Sequence, residues 1–177
     1  MISNSCASNI LNFICGVKDN MTIPEKVYLG LCSEMPSSAG AITGEPYTNP
    51  NVIDENGQAK TTTYARVLVS GTEMQPKRFG LASNGKISNS EEIQFKACRK
   101  VPFGKMNYFF LSTSQAGGSA FLWGELIKKD EDGKIITDEK GNPVIGVDVE
   151  AETVPVFYEG ELQASIDVPL NEEEATE

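Results

Sequence analysis

Carboxylates are the residues of this sequence best placed to do chemistry. Glu125 stands two residues after Trp123, and Glu159 and Glu161 follow Tyr158. A glycosidase needs two carboxyl groups held at a set separation across a glycosidic bond. Neither pair is preorganised by its spacing, and carboxylates beside aromatics are also ordinary on the rim of a sheet. Two acidic turns, Asp54-Glu55-Asn56-Gly57 and Asp130-Glu131-Asp132-Gly133, look like the opening of a calcium loop. Neither continues into the alternating Asp/Asn ligands and closing Glu that such a loop requires. Both read as solvated hairpin tips.

The other reactive residue types point the same way. The chain has no histidine, so it lacks the commonest general base and the commonest transition-metal ligand. A Ser-His-Asp triad is impossible, and Gly117-Gly118-Ser119 reads as a strand turn rather than a nucleophile elbow. No glycine string has the spacing that cradles a nucleotide phosphate. Cys6, Cys15, Cys32 and Cys98 have spacings that match no zinc or iron–sulfur pattern, and they read as reduced, mostly buried thiols. The sequence therefore predicts no catalytic residue, no cofactor and no metal, and a protein that is not an enzyme.

Charge narrows the partners. There are 25 Asp and Glu against 15 Lys and Arg, a net charge of −10. Duplex binding needs a basic face that displaces counterions from phosphate. The densest run, Lys96, Arg99, Lys100 and Lys105, is interrupted by apolar residues. No nucleic acid and no membrane are expected as partners. No stretch is long and apolar enough for a transmembrane span, and the N-terminus lacks a secretory pattern.

The elements that must position these residues are mostly strands. The length of 177 residues, 40% of them hydrophobic, suits one core with an arm. Residues 3–15 carry Ile10, Leu11, Phe13 and Ile14 at helical spacing, with Ser3 or Asn4 as cap and Gly16 as stop. Strands are predicted over 26–32, 61–70, 91–97, 103–112, 119–127, 144–149, 154–158 and 163–168. Those over 103–112 and 119–127 should pair as a hairpin through Gln115–Gly118. No internal repeat is apparent. The pattern predicts a mainly β fold, an antiparallel β-sandwich or jelly-roll-like barrel with a short N-terminal helix. Its organisation is a helical arm over 1–20, a sandwich over 21–170 with projecting loops at 37–60 and 128–143, and a flexible acidic tail over 171–177.

Consecutive strand residues face opposite ways, so Tyr108, Phe109, Phe110, Phe121, Trp123, Phe157 and Tyr158 cannot all share one core. Tyr108, Trp123 and Tyr158 are candidates for a subunit interface, or in the last two cases for stacking on a sugar. Arg66 shares a face with Tyr64 in Tyr64-Ala65-Arg66-Val67 and could pair with a neighbour's carboxylate. Ile10, Leu11, Phe13 and Ile14 make the helix a candidate docking arm, since a helix this short needs something to pack on.

The order of these features resembles a known family. It comprises the helix Asn9–Gly16, then Pro24-Glu25-Lys26-Val27-Tyr28-Leu29-Gly30-Leu31 leading to Pro36, then Tyr64-Ala65-Arg66-Val67. Asn89–Phe95, Phe103-Gly104-Lys105-Met106-Asn107-Tyr108, Leu122-Trp123-Gly124-Glu125-Leu126 and Val154–Leu162 follow. This series is similar to small virion structural proteins of tailed bacteriophages, commonly labelled tail fibre, minor structural or head-decoration proteins. Phe103-Gly104 stands where that family usually has Trp-Gly, and residues 128–143 look like an insertion. The resemblance implies a non-catalytic component of the virion surface, assembled in the host cytoplasm. It would be a capsid decoration or head-fibre attachment, or alternatively a tail or collar fibre component or a carbohydrate-binding receptor module. The implied partners are other capsid or tail proteins and further copies of the chain in a homo-oligomer; a host surface glycan is the partner of the alternative in which Trp123 or Tyr158 stacks on a sugar.

Overall fold

A computed structural model describes residues 1–15, 24–70, 77–130 and 132–165 of the chain. The fold is mainly β and antiparallel, with one short N-terminal helix. Its centre is a four-stranded sheet in the order β4 (Val67–Ser70), β1 (Val27–Cys32), β8 (Tyr108–Ser112) and β9 (Ala120–Glu125). Strand β1, Val-Tyr-Leu-Gly-Leu-Cys, is nearly continuous in hydrophobicity because both faces of this sheet are covered. A half-solvated strand would instead alternate. On one face Leu29, Leu31, Val69, Phe109 and Leu111 join the main core with Tyr64, Ile93, Phe95, Phe103 and Met106. On the other, Cys32, Phe110, Ala120 and Trp123 form a smaller cluster.

Two glycines let the sheet close. Gly30 lies opposite Phe110, and Gly124 lies opposite Phe109. The Phe110 ring occupies the place a Cβ on Gly30 would take, and the Phe109 ring comes within 2.6 Å of a Cβ built on Gly124. The glycines in Leu29-Gly30-Leu31 and Trp123-Gly124-Glu125 thus leave room for two aromatic side chains of the central strand.

Short ribbons cover the main core. They are β2 (Thr48–Ile53) with β3 (Ala59–Thr61), β5 (Lys86–Ser88) with β12 (Gln163–Ser165), β6 (Ile93–Gln94) with β11 (Val156–Phe157), and β7 (Gly104–Met106) with β10 (Val147–Val149). Several predicted strands are therefore shorter than the sequence suggests. Residues 103–112 divide at Asn107, whose N–H donates to Cys32 O and whose side-chain amide donates to Ser33 O, 2.7 Å. That break turns β7 away to pair with β10. Residues 62–66 leave the strand because Thr62 Oγ1 binds Pro46 O and accepts from the Tyr64 N–H. Residues 166–168 lie outside the described residues, as do Gly16 and the tail at 171–177.

Helix α1 spans Asn4–Ile14, and Ser3 Oγ accepts from the Cys6 N–H as a cap. Residues 1–3 lie along the edge of β9, with Ser3 N–H donating to Phe121 O and Trp123 N–H to Met1 O. The helix thus leaves from a sheet edge. Among the thiols only Cys32 and Cys98 are buried. Cys6 is half-buried and Cys15 is exposed, which corrects the expectation of mostly buried cysteines.

One local turn recurs in the hairpins. Asp54, Asp130 and Asp138 each start the same turn. Each Oδ1 accepts from the backbone N–H groups two and four residues on, and a glycine three residues on has positive φ. All three share the string Asp-Glu-x-Gly, at 54–57, 130–133 and 138–141. Within residues 128–143 two copies eight residues apart make two hairpins, closed by the Lys129–Ile135 and Thr137–Pro143 bridges. They meet where Lys128 N–H donates to Val144 O, Val144 N–H to Ile136 O and Ile136 N–H to Lys128 O. The bonds run round a three-way junction that leaves none of these three amides unpaired.

Candidate functional site

Two places stand out, one closed and one open. The closed one is built on Arg66, which the end of the extended Tyr64–Val67 segment delivers under the β8–β9 turn. Its Nε and Nη2 donate to both oxygens of Glu45, at 2.8 and 2.6 Å. Nη1 donates to Ser114 O and Gly117 O, at 2.7 and 2.8 Å. The guanidinium lies 4.8 Å from the Phe110 ring centre. Tyr64 Oη donates to the same Glu45 and accepts from the Leu31 N–H.

The electrostatics follow from burial. Arg66 has a fully buried side chain. Burial pulls its guanidinium pKa down, but the hydrogen bonds and charge of Glu45 more than reverse this, and it stays firmly protonated. Burial, then the Glu45 carboxylate, pushes the Cys32 thiol up to about 12 and the Tyr64 hydroxyl well above its ordinary range. The group holds no activated nucleophile. It is a clamp that ties Glu45, in the long 33–60 connection, to the turn at 114–117.

The open place is a groove of about 620 Å³ against the main core. Leu31, Met106 and Phe109 reach its floor. Ile127, Ile135, Val147, Val154 and Tyr158 stand around its mouth, all exposed, Tyr158 by 62%. Lys129 Nζ reaches Glu161 Oε1 at 3.0 Å across one end, and Glu161 Oε2 accepts the Tyr158 N–H. Glu161 is thus engaged in structure, and Glu125 lines the groove without it as a built acid–base pair.

The predicted interface residues divide accordingly. Arg66 is 4% exposed and pairs within its own chain, so it is not available to a neighbour's carboxylate. Trp123 is also 4% exposed, packed against Cys32, Phe110 and Ala120, which removes it as an interface or sugar-stacking surface. Tyr108 is half-buried against the same cluster. Tyr158 remains at the surface on the groove mouth. Leu11 is 62% exposed and Ile10 half-buried, while the side chains of Phe13 and Ile14 lie outside the described residues. Glu45 and the apolar mouth escaped the sequence reading. Glu45 sits in a polar connection with no pattern, and the mouth is gathered from segments up to thirty residues apart.

Among the described residues there is no cluster of three metal-ligating side chains and no helix long and apolar enough to cross a membrane. The family model described as podophage GP4 fiber I protein gp80 matches residues 1–136. The chain belongs to that family. No curated protein matches it. Membership in the gp80 family makes this a bacteriophage virion protein of the fibre and structural class, as the ordered motifs anticipated. The match takes in the central sheet, the Arg66 clamp and Ile127 and Ile135 of the groove. It ends before β10 and β11, so the groove has one wall from the matched region and one from residues 147–161 beyond it.

Proposed function

We propose that the chain is a non-catalytic structural subunit on the particle surface, seated on the head as a capsid decoration or head-fibre attachment and associating with copies of itself. One observation carries this reading. A chain of the fibre family places five large apolar side chains around one open groove, while its polar core at Arg66 is sealed. A contiguous exposed apolar patch marks a protein contact. The head is favoured because the described residues include no shaft-building element: the single helix has 11 residues and no heptad array. The helix α1, leaving the edge of β9 with Leu11 exposed, supplies the docking arm.

Gold-labelled antibody on intact particles tests the placement. Label across the head supports it. Label confined to the neck or tail supports the collar or tail fibre placement in its stead, and no label on particles contradicts a surface position.

A second reading rests on Tyr158. It is a half-open aromatic ring beside Glu159 and Glu161, and such a ring can stack on a host sugar. Saturable binding to host envelope glycan, abolished by Tyr158→Ala with the fold intact, would establish it. Release of sugar from the same envelopes would overturn the non-catalytic reading.

A further inference from the structure

The groove has a complement elsewhere on the same molecule. Phe79 and Asn89 bridge the base of a hairpin whose two-residue turn, Asn84-Gly85, has both φ values positive, at 49° and 71°. Such a turn matches the right-handed twist of paired strands and holds a hairpin rigid. On this hairpin Leu81 is 98% exposed, the most exposed large hydrophobic residue among the described residues. One exposed leucine is unremarkable alone, but its electrostatic surroundings are not. Residues 77–90 carry Lys77, Arg78 and Lys86 and no carboxylate, in a chain of net charge −10. Glu91 and Glu92 lie only beyond the hairpin's base.

One side of the groove has the opposite character. Residues 145–161 carry Asp148, Glu150, Glu152, Glu159 and Glu161 and no Lys or Arg. Of these, Asp148 and Glu161 line the groove, Glu161 pairs with Lys129, and Lys128 and Lys129 stand with Glu125 on the other side. None of residues 77–90 lines the groove, so one molecule can offer the hairpin and the groove at the same time. From these facts we infer that the hairpin of one copy seats Leu81 in the groove of a second copy, with Lys77 and Lys86 against the acidic wall. This deepens the self-associating part of the proposed function by naming its two surfaces. The contact joins two different patches, so it is heterologous and propagates from copy to copy into a ring or an open filament. A basic hairpin meeting an acidic wall also sets the direction of addition.

Sedimentation of the purified full-length chain over a range of concentrations tests this. The wild type is expected to form a concentration-dependent series of species. Leu81→Ser removes the knob and Val154→Asp spoils the groove. Both side chains are exposed, so an unchanged melting temperature confirms that each variant folds. Each should raise the concentration for half-assembly by roughly tenfold or more, from the loss of one buried aliphatic contact. Leu81→Ser keeps an intact groove and Val154→Asp an intact knob. An equimolar mixture should therefore form a one-to-one dimer and nothing larger. Wild-type assembly by Leu81→Ser, or a mixture that stays monomeric, overturns the contact. Antibody label on particles from a chain monomeric at every concentration overturns it too, while leaving the virion reading in place.

Discussion

The Arg66 clamp and the groove lie on the same core and solve opposite problems. At the clamp, charged groups that cannot reach water are matched within the chain. Glu45 takes both forks of the guanidinium, and Ser114 O and Gly117 O take the rest. At the groove, apolar groups that could have been covered are left at the surface. A charge sealed without a partner is far more costly than an unpaired polar group, so the chain must match it from within. An exposed apolar mouth costs far less in the free molecule, so it can wait for a partner. The first region fixes the fold, and the second is the surface we propose for contact with another molecule.

The contrast breaks most visibly at Arg66. Arg66→Ala leaves Glu45 with only the Tyr64 hydroxyl and two loop carbonyls without a donor, and removal of one partner of a buried pair typically costs about 3–5 kcal/mol. A large drop in melting temperature is expected, and a drop as small as that of a surface variant would show that the clamp is not the sealed element described. Next comes the sheet centre. Gly30→Ala drives a methyl group into the Phe110 ring, an overpacking that costs on the order of 1–3 kcal/mol. Phe110→Leu in the same chain should recover part of that loss. Strictly additive losses in denaturant melts would contradict the packing. At the groove the expected change in stability is small. Val154→Asp should stay within roughly 0.5 kcal/mol of wild type, as for other exposed sites. A loss several times larger would mean that Val154 belongs to the core.

The smallest effect sharpens the comparison from the side of the loops. Asp54 and Asp138 titrate below the ordinary aspartate range because their carboxylates accept backbone N–H groups, from Gln58 and Asn142 first. A carboxyl whose folded value is depressed stabilises its turn above the ordinary aspartate pKa, about 3.9. That contribution fades as pH falls through the folded value. Hydrogen exchange at the Gln58 and Asn142 amides should therefore accelerate on acidification, relative to the acid-shifted intrinsic rate. The Leu31 amide, bonded to Tyr64 Oη, should not change in this way. Protection at Gln58 that survives Asp54→Ala would contradict the turn.

The sequence made the closed region legible in outline. Apolar runs such as Val27–Cys32 and Tyr108–Ser112, with β9 returning beside them, announce strands wherever both faces are buried. Short ribbons were harder, because two- and three-residue ladders such as β6 with β11 are made by neighbours and carry little period of their own. Arg66 and Trp123 looked like contact residues because strand alternation tells which side a residue faces, but not whether that side is covered. Glu45 covers one and the small Phe110 cluster the other. Ile10 is half-buried and Leu11 and Tyr158 are exposed, so a partner can still reach each of them. The groove was illegible because Ile127, Val147 and Tyr158 become neighbours only after β7 leaves the central strand at Asn107. That break depends on one side-chain amide reaching Ser33 O.

The central claim is that this chain is a stoichiometric part of the virion. Quantitative mass spectrometry of particles purified on a density gradient tests it most directly. The account predicts a fixed number of copies per particle, resistant to repeated banding and matching a symmetry of the structure it sits on. A chain abundant in the infected-cell lysate but absent from banded particles would contradict it.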